Sequence, residues 1–193
     1  MKKSISILLA AILTAASMAG CSSNDTSSEA STTTEAATTT ASTTEALTSE
    51  ASPEGLTEEN GVLTGLDTEN CPFEGAGLRI TIDTAAKTAE FFKTDLNGND
   101  TVEYYIFDYS GEPSVEQYYY VSMMGTGFYY TYDLSAGEIV KIEDSDHADV
   151  TQSTKDSGRF DSANDRLKGD VAAIENYFLT QYGKTISDAV AGE

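Results

Sequence analysis

"EQYYYVSMMGTGFYYTYDLSAGEIVKIED", residues 116–144, carries the fold in its alternation. Aromatic and β-branched residues recur with period two, the spacing of a half-buried strand. Two clusters of turn residues, "MGTG" (124–127) and "LSAG" (134–137), divide the stretch into three such segments. Connections this short join antiparallel neighbours, which predicts a β-meander. The pattern predicts faces as well. With "MGTG" as a four-residue loop, Met123 faces Phe128, Val121 faces Tyr130 and Tyr119 faces Tyr132, all on one apolar side. The other side then pairs Ser122 with Tyr129, Tyr120 with Thr131 and Tyr118 with Asp133. A sheet with one buried face requires this division. If Tyr132 meets Val140, then Val140 and Ile142 join the buried side, and Gly137 supplies the left-handed turn position.

Upstream, the same alternation marks strands over 78–83, 87–94 and 101–109, with "GVLTGL" (61–66) as a further short one. Downstream the period changes. Leu167, Val171, Ile174 and Phe178 fall at steps of 4, 3 and 4, the stripe of an amphipathic helix. Ser162 or Asp161 is positioned to cap its start and Gly183 to end it. Residues 144–157 are polar and read as a loop. The expected fold is therefore α+β: a curled antiparallel meander of about six strands with one C-terminal amphipathic helix on one face. Six strands span about 25–29 Å, and a helix covers only about 10–12 Å. The sheet must curl, close in part, or leave aromatic surface uncovered. Tyr118, Tyr120 and Tyr129 fall on the side away from the predicted core, and their amphipathic rings make them candidate ligand-binding residues. "YTYDLSAGEIVKIED" (130–144) is similar to the hairpin of small secreted modules such as PepSY domains. The likeness covers that hairpin alone and carries no function.

The opposite end of the chain speaks of location. Lys2 and Lys3 precede "SISILLAAILTAASMAG", an uncharged apolar run ending in small residues, the layout of a secretory signal. Met18-Ala19-Gly20-Cys21 resembles the lipobox of bacterial lipoproteins, with Met18 where Leu is more usual. The resemblance implies removal of residues 1–20 and a thioether-linked diacylglycerol on Cys21, which becomes the mature N-terminus. Two acyl chains at about 0.8 kcal/mol per buried methylene supply on the order of 20 kcal/mol of anchoring. Residues 22–52 contain 18 Ser or Thr and one large apolar residue, Leu47. A segment so poor in apolar side chains cannot offset its ordering entropy, so 21–55 reads as a lipidated, disordered stalk. Such stalks resemble those of Gram-positive surface lipoproteins. Residues 56–193 then form a single domain on the extracytoplasmic face of the cell membrane.

Charge narrows the partners. The chain has 32 acidic and 11 basic residues; residues 56–193 hold 26 and 9, a net charge of −17. Such a field repels nucleic acid and anionic lipid headgroups, leaving the lipid itself as the membrane attachment. The expected partner is a cell-surface protein or a carbohydrate. With Cys21 modified, Cys71 has no intrachain disulfide partner and reads as a small buried hydrophobe. "TDLNGNDTVE" places Asp95, Asn97 and Asn99 at alternating positions, as in calcium loops. Yet Asp100 and Ile106 stand where an EF-hand needs Gly and Glu, and an Asn97-Gly98 turn explains the stretch more economically. "EDSDHADVT" (143–151) sets His147 among carboxylates, a second and weaker metal candidate. The chain contains no recognisable catalytic motif. The expected function is a binding or interaction module rather than an enzyme. A small-ligand or calcium-binding module is the first alternative, and a carboxylate-dependent hydrolase the second. No cofactor is expected beyond the lipid and, in the first alternative, calcium.

Overall fold

The computed structural model describes residues 55–193. The lipobox Met18–Cys21 and the stalk through residue 54 lie outside the described residues. The fold is α+β. Eight strands form one antiparallel meander in chain order: β1 (Thr57–Glu59), β2 (Val62–Asp67), β3 (Gly77–Asp83), β4 (Thr88–Thr94), β5 (Asp100–Asp108), β6 (Ser114–Val121), β7 (Thr126–Asp133) and β8 (Glu138–Asp144). Three helices follow: α1 (Thr151–Asp156), α2 (Phe160–Tyr182) and α3 (Ile186–Ala191).

The strand count passes the expected six through the N-terminal hairpin, in which β2 is the further short strand expected at 61–66 and β1 is additional. Asn60 and Gly61 both take positive φ, 54° and 79°, and join β1 to β2 in a two-residue turn. That geometry matches the twist of the flanking strands and favours Asn-Gly. Two other hairpins share one solution. Asp83 Oδ1 accepts the backbone N–H of Ala85 and Ala86, both at 2.9 Å. Asp133 Oδ1 accepts those of Ser135 and Ala136, at 2.7 and 2.9 Å. Each turn closes on a left-handed residue, Lys87 in the first (φ 58°) and Gly137 in the second (φ 70°).

The β6–β7 register differs from expectation. The turn is Ser122–Gly125, so Tyr119 pairs with Phe128, Gln117 with Tyr130 and Val115 with Tyr132. Gly125 (φ 64°) makes this possible by donating its N–H to Val121 O at 3.0 Å. Phe128 thus moves its partner from residue 123 to 119. An even slip keeps every side chain on its expected face. Met123, however, leaves the sheet and is 98% exposed. In the next hairpin Tyr132 meets Ile139, not Val140. A register shift at Thr131/Tyr132 turns Val140 outward, while Ile139 and Ile142 are buried. A bulge adds one unpaired residue and so exchanges the two faces locally.

Helix α2 covers the apolar face. Leu167, Val171, Ile174, Tyr177 and Phe178 are buried, and together they contribute on the order of 10 kcal/mol of apolar burial. They pack over Ile80, Phe91, Tyr105, Phe107 and Val115 in one continuous core. Phe91 meets Phe178 and Phe107 edge-on, at 6.0 and 5.4 Å. A polar cluster sets the helix on the sheet. Tyr105 donates to Asp170 at 2.9 Å, Arg166 donates to Gln117 Oε1 at 3.0 Å, and the Arg166 guanidinium lies 3.9 Å over the Tyr119 ring. The helix starts two or three residues earlier than its expected caps. Arg159 is the N-cap, without a side-chain hydrogen bond, and Asp161 and Ser162 lie inside. Gly183 ends it in the left-handed conformation (φ 72°), returning its N–H to Leu179 O. Residues 144–157, expected as a loop, contain α1, which packs against β8 and α2. Helix α3 packs on β3 and β4. Its capping box, Thr185 with Asp188, explains why so short a helix holds. Among the described residues no helix is long and apolar enough to cross a membrane.

Candidate functional site

The helices lie on one side of the sheet. On the other side, strand register aligns side chains into rows that run across the strands. One row reads Leu66, Arg79, Phe92, Tyr104, Tyr118, Tyr129 and Glu143, from β2 to β8. Its aromatic members contact one another in sequence. Centroids are 5.2 Å apart for Phe92–Tyr104, 5.9 Å for Tyr104–Tyr118 and 4.9 Å for Tyr118–Tyr129. Both ends are capped by nitrogen-bearing groups. Arg79 lies 5.3 Å over Phe92, and the His147 ring stacks on Tyr129 at 4.5 Å. His147 reaches that position from a left-handed backbone, φ 59°.

Tyr104 and Tyr118 are stacked, with their planes 21° apart, while the Phe92–Tyr104 and Tyr118–Tyr129 pairs are tilted by 37° and 51°. Cross-strand aromatic pairs of this kind contribute about 0.5–1.5 kcal/mol each beyond their burial. The ladder therefore does structural work on a face that no helix of the described residues covers. Gly127 makes room for it: a Cβ there would fall 2.2 Å from Cζ and Oη of Tyr118. The hydroxyl of Tyr104 donates to Glu116 Oε1 at 3.0 Å. Burial first, and that carboxylate second, push the Tyr104 phenol well above its ordinary range.

The neighbouring row is mixed: Thr64, Thr81, Glu90, Ile106, Glu116, Thr131 and Lys141. Beyond it, at the end bearing the Asp83 and Asp133 turns, Asp83, Asp108, Asp133 and Glu138 share a row. The face thus passes from aromatic to acidic along the strands. Tyr120 stands on the same side one step beyond Tyr118, 38% exposed and paired with Gly127. Tyr118 and Tyr129, expected as binding residues alongside Tyr120, are adjacent in the ladder. Arg79, Phe92 and Tyr104 were not singled out by sequence, and His147 was singled out only as a metal candidate, not as a ring partner of Tyr129. The alternation in "EFFKT" and "EYYIF" contains the signal for Phe92 and Tyr104, once the register between β4 and β5 is known.

The metal candidates take up other duties. Asp95 Oδ1 accepts the N–H groups of Asn97 and Asn99 at 2.8 and 2.9 Å, and Oδ2 accepts Asn99 Nδ2 at 2.8 Å. The Asn99 side chain first, with that backbone, holds the Asp95 carboxyl below its ordinary range. In the "EDSDHADVT" segment, Glu143 pairs with Lys141 at 2.8 Å, Asp144 accepts the N–H of Asp146 and Ala148, and Asp149 accepts that of Thr151. Among the described residues no group of three or more His, Cys, Asp and Glu is placed to hold a metal ion. Cys71 is half-buried, not fully so, against the core, and burial raises its thiol above the ordinary range. Comparison with protein-family models, with curated proteins and with solved structures finds no match for this chain.

Proposed function

We propose that this chain is a lipoprotein of the extracytoplasmic membrane face whose sheet is a docking platform for a cation-bearing protein. The supporting observation is the aromatic ladder on the sheet face opposite the helices, bordered by carboxylates. Tyrosine-rich patches of this kind are common anchors of protein contacts. A protein is favoured over a carbohydrate because sugars stack on open ring faces. Here the rings contact one another, Arg79 and His147 along the row, which narrows the flat ring surface left for a sugar. A cationic partner is favoured because Glu90 and Glu116 flank the ladder and the domain carries a net charge of −17.

The test presents immobilised mature protein with cationic, neutral and acidic peptides of equal length, and with oligosaccharides. Cationic peptides should bind best. Glu90→Lys and Tyr120→Ala, which leave the ladder standing, should each weaken binding about ten-fold. Oligosaccharide binding without peptide binding would refute the reading, as would indifference to both substitutions. The anchor rests on Met18–Cys21 alone. Cys21→Ala should release the protein into the medium or block its processing. Mass spectrometry of the mature wild-type chain should find an acylated Cys21 at the N-terminus.

A further inference from the structure

A cleft lies on the helix-covered side of the sheet, away from the ladder. It has two lobes that share Tyr109, Ala172, Glu175 and Ser187. The larger, about 510 Å³, lies between α2 and the start of α3, within the range of small-molecule sites. Its apolar wall comes from Tyr109, Ala172, Leu179 and Ile186. Among the described residues the only charged side chain lining it is Glu175. Lys168 lies two helical turns earlier, in the smaller lobe of about 420 Å³ beside Tyr132, and no ion pair joins it to Glu175.

Glu175 differs in this from Asp170, the other carboxylate on that stretch of α2. Asp170 is met by Tyr105 and Arg166, whereas the Glu175 carboxylate has no hydrogen bond or ion pair among the described residues. Glu175 as a whole is solvent-exposed, and the partial covering of its carboxyl on the cleft side raises it above the ordinary range. Its charge is felt across the cleft: burial, then Glu175, pushes the Tyr109 phenol up to about 12 and also raises that of Tyr132.

We propose that the larger lobe binds a small organic ammonium ion, with Glu175 as its counter-ion and the Tyr109–Leu179–Ile186 wall receiving its apolar part. The chemistry excludes the other classes. An anion would meet a single uncompensated carboxylate. A neutral apolar molecule would gain only the contact with the wall and leave the adjacent carboxylate charge unanswered. A bare divalent cation wants six or more oxygen ligands, and one carboxylate with a few neutral oxygens does not make that set. An alkylammonium satisfies both parts of the lobe at once, and a tyrosine beside it adds cation–π attraction.

The test uses three probes of one size and different charge, n-butylammonium, n-butanol and butyrate. They are titrated into the mature protein at constant ionic strength and followed by amide NMR. n-Butylammonium should shift Tyr109 and residues 172–187 saturably, with at least ten-fold higher affinity than n-butanol. Butyrate should not bind. Glu175→Gln should remove the preference for the ammonium. Ala172→Leu, which keeps the charge but narrows both lobes, should weaken n-butylammonium binding as well. Each variant's spectrum reports whether it is folded. Equal binding of n-butylammonium and n-butanol would overturn the proposal. So would unchanged ammonium affinity in Glu175→Gln, or an absence of saturable shifts in the wild type.

Discussion

Replacing Gly127 with alanine should destabilise this protein, although the same change in most strands stabilises. Gly127 lies in β7, and its missing side chain leaves space for the Tyr118 ring, whose Cζ and Oη would stand 2.2 Å from an added Cβ. The ring cannot slide sideways. Tyr104 stands 5.9 Å from it on one side and Tyr129 4.9 Å on the other. It must lift, and lifting has two costs. Leaving its rotamer costs about 0.5–1.5 kcal/mol. Weakening two ring contacts costs up to about 0.5–1.5 kcal/mol each. Against this, alanine restores about 0.5–1 kcal/mol that glycine loses in a strand. The balance is a destabilisation of about 1–3 kcal/mol. Urea unfolding followed by far-ultraviolet circular dichroism measures it. Tyrosine circular dichroism reports the ladder separately, undisturbed because the chain has no tryptophan. A double-mutant cycle isolates the cause: in a Tyr118→Ala background, Gly127→Ala should become neutral or stabilising. If Gly127→Ala stabilises the wild type, or costs the same with and without the Tyr118 ring, the ladder does not hold the open face as described.

Three further outcomes follow from the turns and the carboxylates. Gly137→Ala, at φ 70°, should lower stability by about 1–2 kcal/mol, while Lys87→Gly, at φ 58° in the matching turn, should raise it slightly; thermal melts of the two variants check the opposite signs. Hydrogen bonds from Asn99, Ser110 and Thr151 hold the carboxyls of Asp95, Asp108 and Asp149 below their ordinary range. Groups lowered in the folded state add stability above their unfolded value, about 3.9, and lose it as the pH falls through the folded one. Urea midpoints should therefore fall below about pH 4, and less steeply in Asp108→Asn; midpoints that rise towards lower pH would contradict this. Finally, calcium titrated into the protein should give no saturable heat from the Asp95 turn, whose oxygens already bond to that turn. A calcium signal abolished by Asp95→Asn would reverse that expectation.

Strand positions and faces were legible in the sequence because both depend on local chemistry. Period-two alternation places Tyr119, Phe128, Tyr130 and Tyr132 on one side and Tyr118, Tyr120 and Tyr129 on the other whatever the exact turn. A slip by an even number of residues leaves that division intact. The stripe of Leu167, Val171, Ile174 and Phe178 is likewise a property of the segment alone. Which residues meet was not legible in the same way. Whether Met123 or Tyr119 faces Phe128 depends on which glycine makes the turn, and Gly125 and Gly127 look alike in sequence. Gly125 turns the chain, and Gly127 makes room for the Tyr118 ring from the preceding strand. The β8 bulge, which trades Val140 for Ile139, is equally invisible to periodicity. The ladder and the Glu175 cleft belong wholly to this second kind. They join residues from five strands in one case, and from strand ends and two helices in the other. Such neighbours are set by register and helix docking, which answer to packing over the whole domain rather than to any stretch of it.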